Sequence, residues 1–277
     1  MEPIKTEYDP KKIVLSYSSM SDYIDCPKRF KLRLILRAKR PDRNDINTSP
    51  GKVLHNAAEN YLKDLDDVFF SEKLLEAEFE KVASTTVCNQ AQLSVEKDKM
   101  LSDIKNFAPN LYMFLFNNDL KNRKYYSECW FGSYEKPFIL DGMPTQGASD
   151  IIIETDTPNI HILHDYKYTW ATKNLKPEQL LFYIINLEKK FGIKIPMASF
   201  FLIQRKEPVF YAFTDEDKNR VKDKMKEIYQ AIQVDYFPAK PHEKCQYCDY
   251  RSTCEEWQSY VKEPEVHLSS GFESVEL

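Results

Sequence analysis

No apolar run in the 277-residue chain approaches the roughly 20 residues that a bilayer-spanning helix requires. The N-terminal stretch also lacks the apolar core of a secretory signal, so a cytoplasmic protein without a membrane partner is expected. There is no surplus of positive charge: 39 Lys and Arg face 43 Asp and Glu, a formal charge of -4. That balance excludes a uniformly basic chain but not a basic face, because only the surface that meets phosphates need carry cations. No internal repeat is present, which removes solenoids and propellers. What remains is 42% hydrophobic and 30% charged residues, enough to bury a sizeable core in one large domain or two small ones. Six cysteines in a reducing compartment point to thiols or metal ligands rather than disulfides.

The densest chemistry lies between Gly147 and Tyr168. Two Ile-rich runs, Ile151 to Ile153 and Ile160 to His164, flank a polar turn containing Thr155 and Pro158. Branched side chains fit a pleated surface and Pro ends a ladder, so the pattern predicts two strands and a turn. Alternation puts Asp165 and Lys167 on one face, and antiparallel pairing brings Asp150 beside Asp165. Two adjacent carboxylates repel unless a cation joins them, and Mg2+ or Mn2+ prefers such oxygen ligands. Taken alone, Asp165-Tyr166-Lys167 is also an ordinary tripeptide of a solvated strand.

Helices dominate the first 120 residues: one opens at Ser19, one covers Gly51 to Leu62 with His55 and Glu59 a turn apart, and two more cover 71–83 and 91–120. From Lys28 to Arg43 eight cations, among them Lys28, Arg29, Lys31, Arg33 and Arg37, stand against Asp42 alone. A solvated helix face and a phosphate-contacting face both explain that run. Strands are expected over Tyr125 to Phe131, with Glu128 inside, and over Lys136 to Leu140, ended by Asp141-Gly142. A helix from Lys176 to Lys190 puts Gln179 and Tyr183 on one face; strands at Ile195 to Gln204 and Val209 to Phe213 and a helix to Val234 follow.

Near the C-terminus, Cys245, Cys248 and Cys254 fall within ten residues. Thiolates so grouped select zinc or an iron-sulfur cluster, and spacing leaves both open. A fourth ligand is needed, and Cys26, beside Pro27 and the basic run, is the choice over Cys88 and Cys129.

Ser16 to Phe30, Gly51 to Glu59, Gly147 to Asp150, Asp165 to Lys167, Gln179 to Tyr183 and the cysteine trio, in that order, resemble the RecB-like branch of the PD-(D/E)XK nucleases. The resemblance is greatest to its iron-sulfur members, the CRISPR-associated adaptation nucleases and the nuclease domains of helicase-nuclease repair complexes. It implies an α/β, restriction-endonuclease-like core: a central mixed sheet flanked by helices. The implied domain spans 16–262, with a helical part 16–120, a sheet core 121–213 and a C-terminal helix and cysteine segment 214–262. An extended stretch 1–15 would precede it and a disordered acidic tail 263–277 would follow. It further implies Mg2+ or Mn2+ on His55, Asp150, Asp165 and the Tyr166 carbonyl, a catalytic Lys167, and support from Gln179 and Tyr183. A 4Fe-4S cluster would join Cys26, Cys245, Cys248 and Cys254, with no small organic cofactor. The implied substrate is DNA, single-stranded or at ends, and the implied partners are a helicase, recombination or CRISPR-adaptation protein. A non-catalytic or weakly catalytic iron-sulfur DNA-binding subunit of a larger DNA-processing complex is the alternative.

Overall fold

The computed structural model describes residues 12–45, 49–63, 72–87, 90–120 and 122–262. The expectations for residues 1–11 and for the 263–277 tail, and Cys88, lie outside the described residues. Along the chain run α1 (Tyr17–Asp25), α2 (Pro27–Phe30), α3 (Ser49–Lys63), α4 (Glu72–Thr85) and α5 (Gln90–Asn117). Then come β1 (Tyr125–Gly132), β2 (Phe138–Leu140), β3 (Met143–Thr145), β4 (Gly147–Glu154) and β5 (Ile160–Lys167). The last are α6 (Pro177–Phe191), β6 (Lys194–Leu202), β7 (Glu207–Ala212), α7 (Asp215–Gln233) and α8 (Glu255–Lys262). The described residues divide into two compact units, 12–17 with 44–230, and 18–43 with 231–262.

The larger unit is built on a five-stranded sheet of order β1-β4-β5-β6-β7. The Ile-rich pair forms as its composition requires: β4 and β5 are antiparallel, with Ile151 opposite His164 and Ile153 opposite Ile162. β5 and β6 are parallel, which a short turn cannot connect, and α6 supplies the crossover. The sheet is therefore mixed. Its faces follow from strand alternation. Ile151, Ile153, Tyr166 and Phe201 point into a core with Val53, Leu54, Phe79, Leu111 and Phe114 of α3, α4 and α5. Phe114 and Phe201 stack there with ring centroids 4.0 Å apart. On the other side α6 buries Leu180, Leu181, Phe182, Ile184, Ile185 and Leu187. Pro177 opens that helix, where its missing N–H is harmless, and Gly192, at φ 67°, closes it in the left-handed conformation.

Two expectations change. The strand read over Lys136 to Leu140 does not join the main sheet. The Asp141-Gly142 turn folds Phe138–Leu140 back on Met143–Thr145 as a separate ribbon. The helix read through Lys28 to Arg37 is α2 followed by a wider π-turn over Lys31–Ile35, ending at Arg37 with φ 46°.

In the smaller unit Tyr23, Phe30 and Phe237 form an aromatic cluster. The basic run is held by acids of the same unit. Lys28 pairs with Glu256 at 2.5 Å, Arg29 with Asp22 and Asp25 at 3.0 and 3.1 Å, Lys31 with Asp235 at 2.9 Å and Arg33 with Asp22 at 2.7 Å.

Candidate active site and cysteine cavity

Backbone pairing between β4 and β5 stops at Ile151 and His164, and one residue further the Asp150 side chain takes over the ladder. Its Oδ2 accepts the Tyr166 N–H at 2.6 Å. That bond fixes the carboxylate against the end of β5, where Asp165 and Lys167 project. The Lys167 ammonium rests against Asp165 Oδ2, and Asp165 Oδ1 accepts from Gln179 Nε2 at 3.1 Å. Gln179 also donates to the Tyr183 hydroxyl at 2.9 Å, so the first turns of α6 orient Asp165. From α3, His55 Nε2 lies 3.0 Å from the Tyr166 carbonyl and Nδ1 lies 3.3 Å from Asp150 Oδ1. His55, Asp150, Asp165, Tyr166, Lys167, Gln179 and Tyr183 are thus brought into one place.

The electrostatics follow from the packing. Burial disfavours the His55 imidazolium, but the Asp150 carboxylate outweighs it and pushes His55 up to about 9. Both ring nitrogens face acceptors, an arrangement that only the doubly protonated ring satisfies. Burial raises the Asp165 carboxyl to about 6 against the opposing pull of Lys167. Asp150 is held below its usual range: burial works to raise it, and His55 and Lys167 together overcome that. Burial, then Asp165, raises Tyr183, which stays a neutral phenol.

Do these groups suit a divalent cation? Asp165 Oδ2 is buried and rests against the Lys167 ammonium, with the His55 imidazolium also opposing its charge. Two carboxylates, an imidazole and a carbonyl form a hard oxygen-rich donor set suited to Mg2+ or Mn2+. Among the described residues, however, no three His, Cys, Asp or Glu side chains form a ready metal shell. The cause is local: His55 is bonded to Asp150 and the Tyr166 carbonyl, so candidate ligands satisfy one another. The donor chemistry fits, and loading requires exchange of the His55 proton.

Sequence reasoning missed several features. Glu128 adopts φ 45°, strained for a non-glycine residue, and the β1 register sets it level with Asp150. Burial pushes the Tyr166 hydroxyl up, and it has no hydrogen-bond partner among the described residues. His164 Nδ1 lies 2.7 Å from Ser199 Oγ, and burial depresses that imidazole to about 4. Only the glutamate's place in a strand pattern was visible beforehand.

In the smaller unit Cys26, Cys245, Cys248 and Cys254 line one cavity, together with Lys28, Arg29 and Trp257. Short turns produce this: the Cys245 N–H bonds the His242 carbonyl at 2.9 Å, and the Cys248 N–H bonds the Cys245 carbonyl at 3.0 Å. All four are free cysteines and partly exposed. Burial raises the Cys248 thiol, and Cys245 and Cys26 raise it further, the repulsion expected of thiols brought together without a cation. Cys129 lies on β1 of the larger unit and does not line this cavity.

A mixed sheet with a helical crossover, carrying two carboxylates and a lysine at the end of adjacent strands, defines a restriction-endonuclease-like α/β nuclease. The PD-(D/E)XK nuclease superfamily matches residues 14–255, and the chain belongs to it. That family makes the protein a nuclease, a phosphodiesterase of the kind that uses divalent metal and acts on DNA. A solved structure described as the crystal structure of SSO0001 is similar at 14% identity and a TM-score of 0.35, over 74% of this chain and 94% of that one. No curated protein matches. No helix among the described residues is long and apolar enough to cross a membrane.

Proposed function

We propose that this nuclease is a deoxyribonuclease of the RecB-like, iron-sulfur branch, an exonuclease acting on single-stranded DNA or DNA ends. The observation that supports it above others is the meeting of Asp150, Asp165 and Lys167 with His55 at the junction of β4, β5 and α3. In this reading His55, Asp150, Asp165 and the Tyr166 carbonyl hold Mg2+ or Mn2+. When bound, such an ion acts as a Lewis acid on a phosphate oxygen and lowers the pKa of a coordinated water. Lys167 presents its ammonium where negative charge grows on the phosphate and orients the attacking water. Gln179 keeps Asp165 facing the site through its bond to Oδ1, and Tyr183, tied to Gln179, contacts the substrate strand. Of the basic run, Arg37 has no ion pair among the described residues and is assigned to the DNA backbone. Lys28, Arg29, Lys31 and Arg33 contribute where phosphate replaces their acid partners.

The cysteine cavity is assigned a structural 4Fe-4S cluster on Cys26, Cys245, Cys248 and Cys254. In this reading the nuclease works in repair, recombination, replication or CRISPR adaptation beside a helicase, recombination or adaptation protein. The test is digestion of single strands labelled at either end, with Mn2+ or with EDTA, by the wild type and by Lys167→Ala. Metal-dependent digestion lost in the variant is expected, and the labelled end gives the polarity. Equal digestion by both proteins would remove the site assignment.

A further inference from the structure

A second charged concavity lies at the opposite end of α6 from Gln179. The cavity, about 330 Å³, is lined by Leu140 and Asp141, by Ile185, Glu188, Lys189 and Gly192 at the close of α6, by Lys194, and by Lys218 and Lys222 of α7. This is within the volume of small-ligand sites, roughly 300–1,000 Å³. Four lysines face two acids there, in a chain whose formal charge is -4.

The two acids do not neutralise the lysines. Glu188 is already committed: its two oxygens take the Lys218 ammonium at 3.0 and 2.8 Å, and Oε1 also accepts the Ile195 N–H at 2.8 Å. Among the described residues, Lys189, Lys194 and Lys222 have no ion pair or hydrogen bond for their ammonium groups. Asp141 is exposed on the β2–β3 turn. The close of α6 explains Lys189, since the carbonyl end of a helix attracts cations. It does not explain Lys194 on β6 or Lys222 on α7. Lys218, one turn from Lys222, is compensated by Glu188 and Asp215, which leaves Lys222 as the uncompensated cation of α7 at the cavity. A concave surface of one sign concentrates potential, and ammonium groups are point-charge partners for phosphate oxygens.

We infer that this cavity is a binding site for a phosphate oxyanion, held by Lys189, Lys194 and Lys222, with the half-buried Lys218 kept beside them by Glu188. The phosphate belongs either to a nucleic-acid backbone or to a free nucleotide or inorganic phosphate. This inference is independent of the nuclease reading, because binding needs neither divalent ion nor cleavage.

The experiment is calorimetric titration in EDTA with inorganic phosphate, a deoxynucleoside monophosphate and a single-stranded oligonucleotide, against sodium chloride of equal ionic strength. Wild type should bind phosphate beyond the chloride control. Lys194→Gln and Lys222→Gln should each weaken it about tenfold, the loss of one charge-assisted contact. Asp141→Asn removes the opposing charge at a position whose φ of 48° asparagine accepts, and should tighten binding. Oligonucleotide affinity that falls along with that of inorganic phosphate identifies backbone phosphate as the occupant. Oligonucleotide affinity that holds while phosphate binding falls identifies the free anion or nucleotide. Phosphate binding equal in wild type and the Lys194→Gln, Lys222→Gln double variant, or no greater than the chloride control, would overturn the inference.

Discussion

At the scale of single residues the site is a set of opposed charges poised for exchange. Lys167 touches Asp165 in the cation-free protein, so Lys167→Ala removes both a counter-charge and the group that meets the transition state. Turnover should fall by about 10²–10³, with the fold kept, as for other groups that stabilise developing charge. The measurement is single-turnover cleavage beside a melting curve. The Tyr166 side chain is different: its hydroxyl is buried without a partner among the described residues, whereas its carbonyl faces His55. Tyr166→Phe should leave cleavage intact and be neutral or stabilise by about 1 kcal/mol, since an unsatisfied buried donor is removed. Loss of cleavage in that variant would give the phenol a role that its packing does not suggest. His55 sets the pH behaviour of the cation-free protein. Its imidazolium persists to about 9 against an ordinary 6.5, because Asp150 overcomes burial. The native state therefore holds a proton that the unfolded chain loses first. The stabilisation is complete below 6.5 and drains away as pH rises through about 9. Urea midpoints measured in EDTA from pH 6 to beyond 9 should decline in wild type and be flatter in His55→Gln. Divalent-ion affinity should rise over the same range, because ligation displaces the proton.

Elements decide which of these residues were legible beforehand. Asp150, Asp165 and Lys167 could be placed together from sequence because two short Ile-rich runs and a turn leave antiparallel pairing as the simplest arrangement, and alternation does the rest. Gln179 and Tyr183 were legible as one helical face. Their bond to Asp165 was not, because it depends on how the crossover helix packs on the sheet. The basic run was misleading for a related reason. Its charge was visible, but the acids that occupy it, Glu256 and Asp235, come from sequence positions some 200 residues away. Pro109 inside α5 and the π-turn after α2 also escaped notice, since tertiary packing overrides local preference there. Gly147 was visible in the motif but not its purpose. A Cβ at that position would stand 2.6 Å from the ring of Phe131, which is buried beneath the start of β4. Gly147→Ala should thus cost about 1–3 kcal/mol through overpacking and shift the strand that carries Asp150. Chemical denaturation and cleavage rate should fall together. A stability loss with full cleavage would mean that the strain is absorbed before residue 150.

For the whole molecule, the question is what holds residue 26 beside the 245–254 segment. Among the contacts there are the Lys28–Glu256 and Arg40–Asp249 pairs, backbone bonds from Lys28 to Pro238 and from Asp42 to Asp249, the aromatic cluster around Phe30 and the cysteine-lined cavity. An ion pair that is partly solvent-exposed contributes little, commonly 0–1 kcal/mol. Burial raises the Cys248 and Cys254 thiols, so a cation bound in the cavity must displace the protons of these two. With a cluster or zinc bound, the cavity's sulfurs close a loop of more than 200 residues, and metal affinity becomes folding stability. Cys26→Ser should therefore lower metal content and melting temperature together, whereas Cys129→Ser, on β1 and outside the cavity lining, should leave metal content unchanged. Anaerobically purified wild type should be brown, with visible absorption that bleaches on reduction and an iron content near four per chain, as the proposed 4Fe-4S assignment predicts. A colourless protein with stoichiometric zinc would keep the staple and change its metal. Full metal content and an unchanged melt in Cys26→Ser would mean that residue 26 lines the cavity without ligating anything in it.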